Sequence, residues 1–511
     1  MINRYLTTDA FREFNKLALH VQRWIVTTLF ELTGENDLVL QQRFIQRFYE
    51  LGLIPFIQHI NARINDNLLP FDIQSITLVI NKLKVNTHSG EISLTFNGLI
   101  VAVAEFFAHW LLTLKSILLG IAKVSTISSA TLVYGVGNES LVINATDKRF
   151  IDFCEKGKID PLKDAQNLLI QSSIYTGFIS NRRFSYTKYP HLGLLERAKL
   201  GFRNRCLLLI NHLFLPLKFI FKLIKFPVSG VLAKDFALSI AMNFLDKKGF
   251  IESVVITNSN GKAQPLWMRG ERQFQVHMVW YSQNTRIHCY HGSEVVEKSM
   301  PHIKHISADI HWVWTESYKA YLLETLIMPS VIHVVGPILW YLDNSKVNNL
   351  KGIAVFDVIP IVEDAWPKFG MLDNYYSAEN AIKFMADLLD TLEEVNTQIR
   401  TEYKLFLKHK RDAGHVLYSR DYLDYIDDLV RQKKICLFDY QINIYEMVGN
   451  CELTIAMPYT SPVYVATEQK KPAIYFDATE QLLPSYDAST YLYFASGKTA
   501  LKTLLMQHLI S

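Results

Sequence analysis

The sequence predicts an α/β protein built from a pair of Rossmann-type, doubly wound units behind a helical N-terminal extension. From residue 131 onward, short β-branched and aromatic runs alternate with stretches of helical periodicity. These runs are apolar throughout, as strands are when helices cover both faces of a parallel sheet. The chain also has 511 residues, well above the ~100–200 of one domain.

The candidate strands are TLVYGV (131–136), ESVVITN (252–258), QVHMVWY (275–281), DIHWVW (309–314) and VIHVVG (331–336). A second set follows: GIAVFDV (352–358), YKLFLKH (403–409), ICLFD (435–439), LTIAMP (453–458) and PAIYFD (472–477). So many strands, with helices between them, call for two doubly wound sheets. The polar, turn-rich segment LDNSKVNNLKG separates the two sets. The expected division is an extension over 1–128, a first Rossmann-like unit over 129–345 and a second over 346–511.

Residues 1–125 read as mostly helical. Gly98–Lys123 is strongly apolar but carries Glu105, His109 and Lys115, charges that are costly at a bilayer centre. The segment 206–226, CLLLINHLFLPLKFIFKLIKF, places Lys218, Lys222 and Lys225 on one helical stripe between Pro216 and Pro227. Apolar residues fill the rest, the pattern of a helix lying in a membrane interface. The N-terminal MINRYLTTDAFREFNK lacks the apolar core of a secretory leader. The five cysteines form no C-x-x-C pair, which fits a reducing compartment. The expected location is therefore cytoplasmic, peripheral on the inner face of the plasma membrane. A net charge of +4, without a basic arm, argues against nucleic acid as a partner.

Chemistry concentrates near the C-terminus. In LTIAMPYTSPVYVA a strand ends at Pro458 and Tyr459, and Pro462 suits a first helical turn. Thr460 or Ser461 would cap that helix and, at the carboxyl end of a strand, offer hydroxyls and N–H groups to a phosphate. The strand before Lys408-His409-Lys410-Arg411 delivers three cations and an imidazole to the same edge. Glu446, on a helical stretch between these two, could bind ribose hydroxyls. In the first unit, Gly135-Val136-Gly137 ends a strand and carries Glu139 past it. Glu139 is the first candidate base, His277 the second and Asp309 the third. His288, Cys289, His291, His302, His305 and His311 crowd residues 288–311, but their spacing fits no zinc pattern. No metal is expected.

The stretch AMPYTSPVYVA followed by KKPAIYFD resembles bacterial polysaccharide-biosynthesis proteins named for a Pro-Phe-Thr-Ser motif, with Tyr459 in place of the Phe. LVYGVGNES, FIDFCEKG, WYSQN, HWVWTESYKAYL, HVVGPILW, VFDVIPI, NYYSAENAIKFMADLL and FLKHKRD resemble that family in the same order. The resemblance covers about residues 130–480 and implies a GT-B-like fold. It implies a glycosyltransferase that moves a sugar from a nucleotide donor, used as substrate with no further cofactor, to an oligosaccharide or lipid-linked glycan. In GT-B transferases that use CMP-activated acidic sugars, a Ser/Thr pair at a helix start grips the donor phosphate. Thr460-Ser461 and Lys408-His409-Lys410 fit those roles, so a CMP-linked nonulosonic acid or Kdo is the first donor expected. The His-Pro pair of several such enzymes is absent, because Lys410 follows His409. The alternatives are a CDP-polyol phosphotransferase of the teichoic-acid-like type and a non-catalytic scaffold.

Overall fold

The computed structural model describes residues 17, 20–24, 38–65, 77–80, 82–86, 91–122, 126–137, 141, 149–174, 183–257, 264–282, 288–291, 301–328, 330–338, 340, 350–360, 375–415, 418–484 and 490–510. Among them, the N-terminal region is not wholly helical. Helix α1 (Leu38–Asn65) and the long α2 (Phe96–Ala122) flank a three-stranded antiparallel sheet, β1 (Thr77–Ile80), β2 (Leu83–Asn86) and β3 (Glu91–Leu94). The alternating burial of β2 and β3 is the period-two signature of half-buried strands. Runs of four residues are too short to stand out from their helical surroundings in the sequence. Arg43 of α1 pairs with Asp235 at 3.2 Å and Glu50 at 3.1 Å, which ties α1 to the unit that follows.

That unit is a seven-stranded parallel sheet. Its strands are β4 (Ala130–Tyr134), β5 (Leu168–Gln171), β6 (Phe184–Thr187), β7 (Ile251–Thr257), β8 (Gln275–Val279), β9 (Ile310–Val313) and β10 (Val331–Val334). They lie in the order β10-β9-β8-β7-β4-β5-β6. Between them run α3 (Arg149–Lys156), α4 (Pro190–Arg197), α5 (Phe202–Leu213), α6 (Leu215–Lys225), α7 (Ala233–Lys247) and α8 (Glu316–Thr325). Successive strand residues feed opposite faces. Leu132, Val254 and Met278 join one apolar cluster, and Val133, Val255 and Val279 join another. Both faces are therefore covered, as the apolar strands required.

The second sheet has six parallel strands: β11 (Gly352–Phe356), β12 (Lys404–Lys408), β13 (Ile435–Phe438), β14 (Leu453–Ala456), β15 (Ala473–Asp477) and β16 (Leu492–Ser496). Helices α9 (Ala378–Ile399), α10 (Arg420–Arg431), α11 (Ile444–Asn450), α12 (Pro462–Glu468) and α13 (Gly497–Leu509) wind around it. Gly352 opens β11 against β12, where a Cβ would meet the Lys404 carbonyl oxygen at 2.2 Å. The strand order is β13-β12-β11-β14-β15-β16. Counted within the unit this is 3-2-1-4-5-6, the order of dinucleotide-binding Rossmann folds. Six strands of the first sheet, counted from β4, share it. The fold class read from the sequence is thus the one found.

One apolar cluster runs through both units, joining Val133, Phe184 and Trp340 to Ile353, Leu405 and Ile455. A short backbone pairing also joins them. Leu483 N–H donates to the Cys289 carbonyl at 2.8 Å and His291 N–H to the Gln481 carbonyl at 2.9 Å, with Tyr290 opposite Leu482 in an antiparallel bridge.

Phe96–Ala122, Phe202–Lys225 and Pro227–Lys247 are each long and apolar enough to cross a membrane by length and composition. The lysine stripe read from the sequence does not face outward alone on α6. Leu217, Phe221 and Ile224 are exposed, with Lys218 and Lys225 exposed beside them and Lys222 half-buried.

Candidate functional site at the switch point of the second sheet

In a 3-2-1-4-5-6 sheet the first and fourth strands depart to opposite faces and leave a crevice beyond their carboxyl ends. Here those strands are β11 and β14, paired from Ile353↔Leu453 to Phe356↔Ala456. Three chain segments meet at that crevice: the residues after β11, after β12 and after β14.

Asp357 follows β11 and is buried. Parallel pairing of Phe356 with Lys408 brings the end of β12 beside it. One Asp357 carboxylate oxygen accepts the Lys410 backbone N–H at 2.8 Å; the other accepts His409 Nδ1 at 2.5 Å and the Tyr422 hydroxyl at 3.0 Å. A carboxylate only accepts, so His409 Nδ1 carries a proton. No described residue hydrogen bonds to Nε2. This is the arrangement in which a carboxylate orients an imidazole for a ligand. Burial, with the Asp357 charge adding to it, holds the Tyr422 hydroxyl well above the usual phenol range, so it stays a donor to Asp357.

Lys408 is buried, and its Nζ donates to the His409 carbonyl at 3.3 Å. Burial pulls its pKa down to about 8, against the opposing pull of Asp357 and Asp439. Lys410 and Arg411 are exposed on the loop, and Arg411 reaches His415 at 3.0 Å. The loop thus carries Lys410 and Arg411 exposed, with Lys408 and the oriented His409 buried behind them at the same strand end.

The turn after β14 is held tightly. Tyr459 has φ +64°, a left-handed conformation uncommon for an aromatic residue and a mark of local strain. Its hydroxyl donates to the Leu483 carbonyl at 2.8 Å. The Tyr475 hydroxyl donates to the Thr460 carbonyl at 2.9 Å, and the Tyr376 hydroxyl to the Pro458 carbonyl at 2.7 Å. The Thr460 hydroxyl donates to the Met457 carbonyl at 2.8 Å. The expected side-chain cap is not made: Ser461 occupies the N-cap of α12 at φ −69° and ψ −27°, without a capping bond. In that right-handed backbone conformation it continues the helix instead of capping it. Glu446 lies half-buried in the first turn of α11, which follows β13.

Asp477, fully buried at the end of β15, braces the neighbouring loop. It accepts the Tyr375 hydroxyl, the Thr479 N–H and hydroxyl, and the N–H groups of Gln481 and Leu482, all between 2.7 and 2.9 Å. That loop carries the backbone pairing to residues 289–291. Next to it His288, from the first unit, lies among Tyr375, Tyr376 and Tyr459, with ring centroids at 4.7, 5.0 and 5.4 Å. Its Nε2 is 3.3 Å from the Tyr376 hydroxyl.

The base candidates divide differently. Glu139 lies outside the described residues. The switch point of the first sheet is described, where the Thr257 hydroxyl donates to the Gly135 carbonyl at 2.7 Å and Gly135 has φ +80°. His277 sits in mid-strand, not at the carboxyl edge. It is buried and stacked on Trp312, and Nδ1 accepts the indole N–H at 3.3 Å. Burial depresses its pKa to about 4. A neutral, packed imidazole away from the edge is a core residue, which corrects the reading of His277 as a base. Asp309 lies just before β9, at the amino edge of the sheet. There it accepts the Val276 N–H at 2.7 Å and pairs with Arg272 at 2.6 Å, so it too is structural. Among the described residues no three His, Cys, Asp or Glu side chains converge as a metal site would require.

Two residues of this site were not picked out in the sequence. Asp357 stood in the run VFDVIPI without an assigned role. His288 looked like one of a scatter of histidines.

The polysaccharide biosynthesis PFTS motif family matches residues 215–505. The chain belongs to that family. The match takes in the whole switch-point site, and Pro458-Tyr459-Thr460-Ser461 is this member's form of the motif. No curated protein sequence matches the chain. Among solved structures, distant similarity extends to a mutant of S. aureus TarM in complex with Fondaparinux, alpha-GlcNAc-glycerol and UDP. It is 12% identical, with 54% of this chain and 52% of that one covered and a TM-score of 0.32. A variant of the wall teichoic acid polymerase TagF is 9% identical over 81% of this chain and 90% of that one, with a TM-score of 0.39. Anabaena Alr3699/HepE in complex with UDP and glucose is 10% identical over 75% and 90%, with a TM-score of 0.32. The chain spans about half the length of the two TarM structures.

Proposed function

We propose that this family member is a glycosyltransferase of surface-polysaccharide synthesis whose nucleotide-sugar donor lies at the switch point of the second sheet. One observation carries the reading: a buried Asp357 at the end of β11 orients His409 at the end of β12, and the family motif follows β14 on the other side of β11. Lys408, Lys410 and Arg411 bind the donor phosphate, and His409 joins them as the imidazolium, in which Nε2 donates as well as Nδ1. The Thr460-Ser461 turn closes over it, and Glu446 takes the ribose. The acceptor, an oligosaccharide or lipid-linked glycan, approaches from the first unit. Its hydroxyl oxygen forms a bond to the anomeric carbon as the bond from that carbon to the phosphate oxygen breaks. The proton passes to Glu139, which follows β4 in sequence, and the nucleotide leaves with the electron pair. The cationic loop stabilises the charge that grows on the leaving phosphate. A CMP-linked acidic sugar is the first donor to test.

The experiment is thermal unfolding with CMP, UDP, GDP and CDP, since a ligand that binds only the folded state raises the transition according to its affinity. One nucleotide should stabilise the protein. The Thr460→Ala/Ser461→Ala variant should lose that stabilisation while unfolding as cooperatively as before. Nucleotide binding unchanged in the folded double variant refutes the donor site. With a donor in hand, phosphate retained on the acceptor would mark polyol-phosphate transfer instead.

A further inference from the structure

The face formed by α2, α5 and α6 is apolar where water would require polar residues. Phe214 joins α5 to α6 with φ −80° and ψ −9°, so the helical phase carries through. Leu208, His212, Leu215, Phe219 and Leu223 form the inward line and are buried. At alternating steps of three and four on the opposite side stand Leu207, Ile210, Phe214, Leu217, Phe221 and Ile224, between 51% and 76% exposed. Helix α2 has a similar outward line, with Ile100, Leu111 and Leu118 exposed and Ala104 and Ala108 between them. The helices are neighbours: the Phe106 and Phe219 rings stack at 4.0 Å, and Trp110 Nε1 donates to the His212 carbonyl at 2.9 Å. A contiguous apolar patch of this kind marks an interaction surface.

Two further observations identify what covers it. First, the inward sides of these helices are committed to the protein: Phe106 and Ile117 of α2 are fully buried. These helices are therefore held against the rest of the fold on one side, and only their outer faces are open to a lipid surface. Second, the charge has one sign. Phe202–Lys225 contains no Asp or Glu, and Arg203, Lys218 and Lys225 are exposed along it. Lys222 is held back with Nζ 4.6 Å from the centre of the Phe236 ring. Glu105 of α2 is paired with Arg47 at 3.5 Å. An exposed apolar line flanked by lysines is the profile of a helix seated at the boundary of head groups and acyl chains.

We infer that α2, α5 and α6 form a monotopic docking surface for an anionic lipid bilayer. The apolar line sits below the head groups, and Arg203, Lys218 and Lys225 reach their phosphates. The inference does not rest on the glycosyl-transfer reading. All the side chains to be replaced are exposed, so the variants retain the core.

The test is flotation of the full chain with vesicles of phosphatidylcholine alone or with added phosphatidylglycerol, at low and high salt. The protein should float with the phosphatidylglycerol vesicles, and less so at high salt. Lys218→Glu/Lys225→Glu should weaken that binding by about 30-fold, from about fivefold per lysine. Leu217→Ser/Phe221→Ser/Ile224→Ser should abolish it, whereas Leu323→Ser, at an exposed leucine of α8, should leave it intact. Absence of vesicle binding by the unaltered chain overturns the inference. So does a lipid-free dimer that the triple variant converts to monomer while vesicle binding persists, since a second copy would then own the face.

Discussion

His409→Gln separates a ligand-binding imidazole from one that merely satisfies a buried carboxylate. In the liganded protein the ring serves two ends as the imidazolium, giving Nδ1–H to Asp357 and Nε2–H to the donor phosphate. Glutamine has one amide for both tasks. With its NH₂ on Asp357, it turns a carbonyl oxygen toward the phosphate. A hydrogen bond to a charged group contributes ~1.5–3 kcal/mol, so nucleotide should bind about 13- to 160-fold more weakly. The cost to folding is smaller. Asp357 keeps the Lys410 N–H and the Tyr422 hydroxyl, and replacing a ring by an amide there costs ~1 kcal/mol. Titration calorimetry with the nucleotide that stabilises the protein gives the first quantity, and thermal unfolding gives the second. A lowered transition with nucleotide affinity unchanged would refute the reasoning and leave the Asp357–His409 pair a structural brace.

Two pH dependences follow from burial. Lys408, with its pKa pulled down to about 8, is a cation at neutral pH and loses its proton as pH rises through that value. Lys410, on the same loop, is pulled down to about 8 as well, so nucleotide affinity should fall above about pH 8 by at most about tenfold per pH unit for each lysine in the site, and Lys408→Met should flatten the fall without abolishing it; an unchanged profile in the variant would exclude Lys408 from the site. Burial depresses four histidines, His191 and His311 to about 3 and His277 and His305 to about 4, while in the unfolded chain they titrate near ~6.5. The unfolded state therefore binds more protons below about pH 6.5, and stability, full above that value, falls by ~1.4 kcal/mol per pH unit for each histidine as acid is added. Urea unfolding followed by tryptophan emission reports this directly, because Trp280 and Trp312 donate to His311 and His277. Equal stability at about pH 6.5 and pH 5 would contradict it.

The sequence made the central strands legible because fully buried parallel strands leave unbroken apolar runs. β4, β11 and β15 are buried along their whole length. It hid β6 and β16, which lie at sheet edges; FSYT mixes polar and apolar residues, and LYFAS is only partly buried. β5, although interior, is a run of four residues within a polar neighbourhood. The cationic loop and the motif turn were visible because each is continuous in the chain. Asp357 was not, because an aspartate after a strand is ordinary until another strand lies beside it. Its histidine partner is 52 residues away, and only the β11–β12 register places them together. The same holds for His288, which owes its setting to tyrosines of the other unit.

The backbone pairing of residues 289–291 with 481–483 constrains how the molecule breathes. Its two hydrogen bonds sit on a loop that the five bonds to Asp477 already hold, so this corner is tied from both sides. If the units separate to admit or release a ligand, a pivot here would open the widest gap at the far margin, like covers about a spine. Small rotations at the pivot would be magnified along that margin. His288, Tyr376 and Tyr459 lie beside the axis, so they would move little between open and closed forms. The rate of ligand exchange would then be set by the bending of a few residues at this spine, and substitutions there would alter turnover without touching any group that meets the substrate.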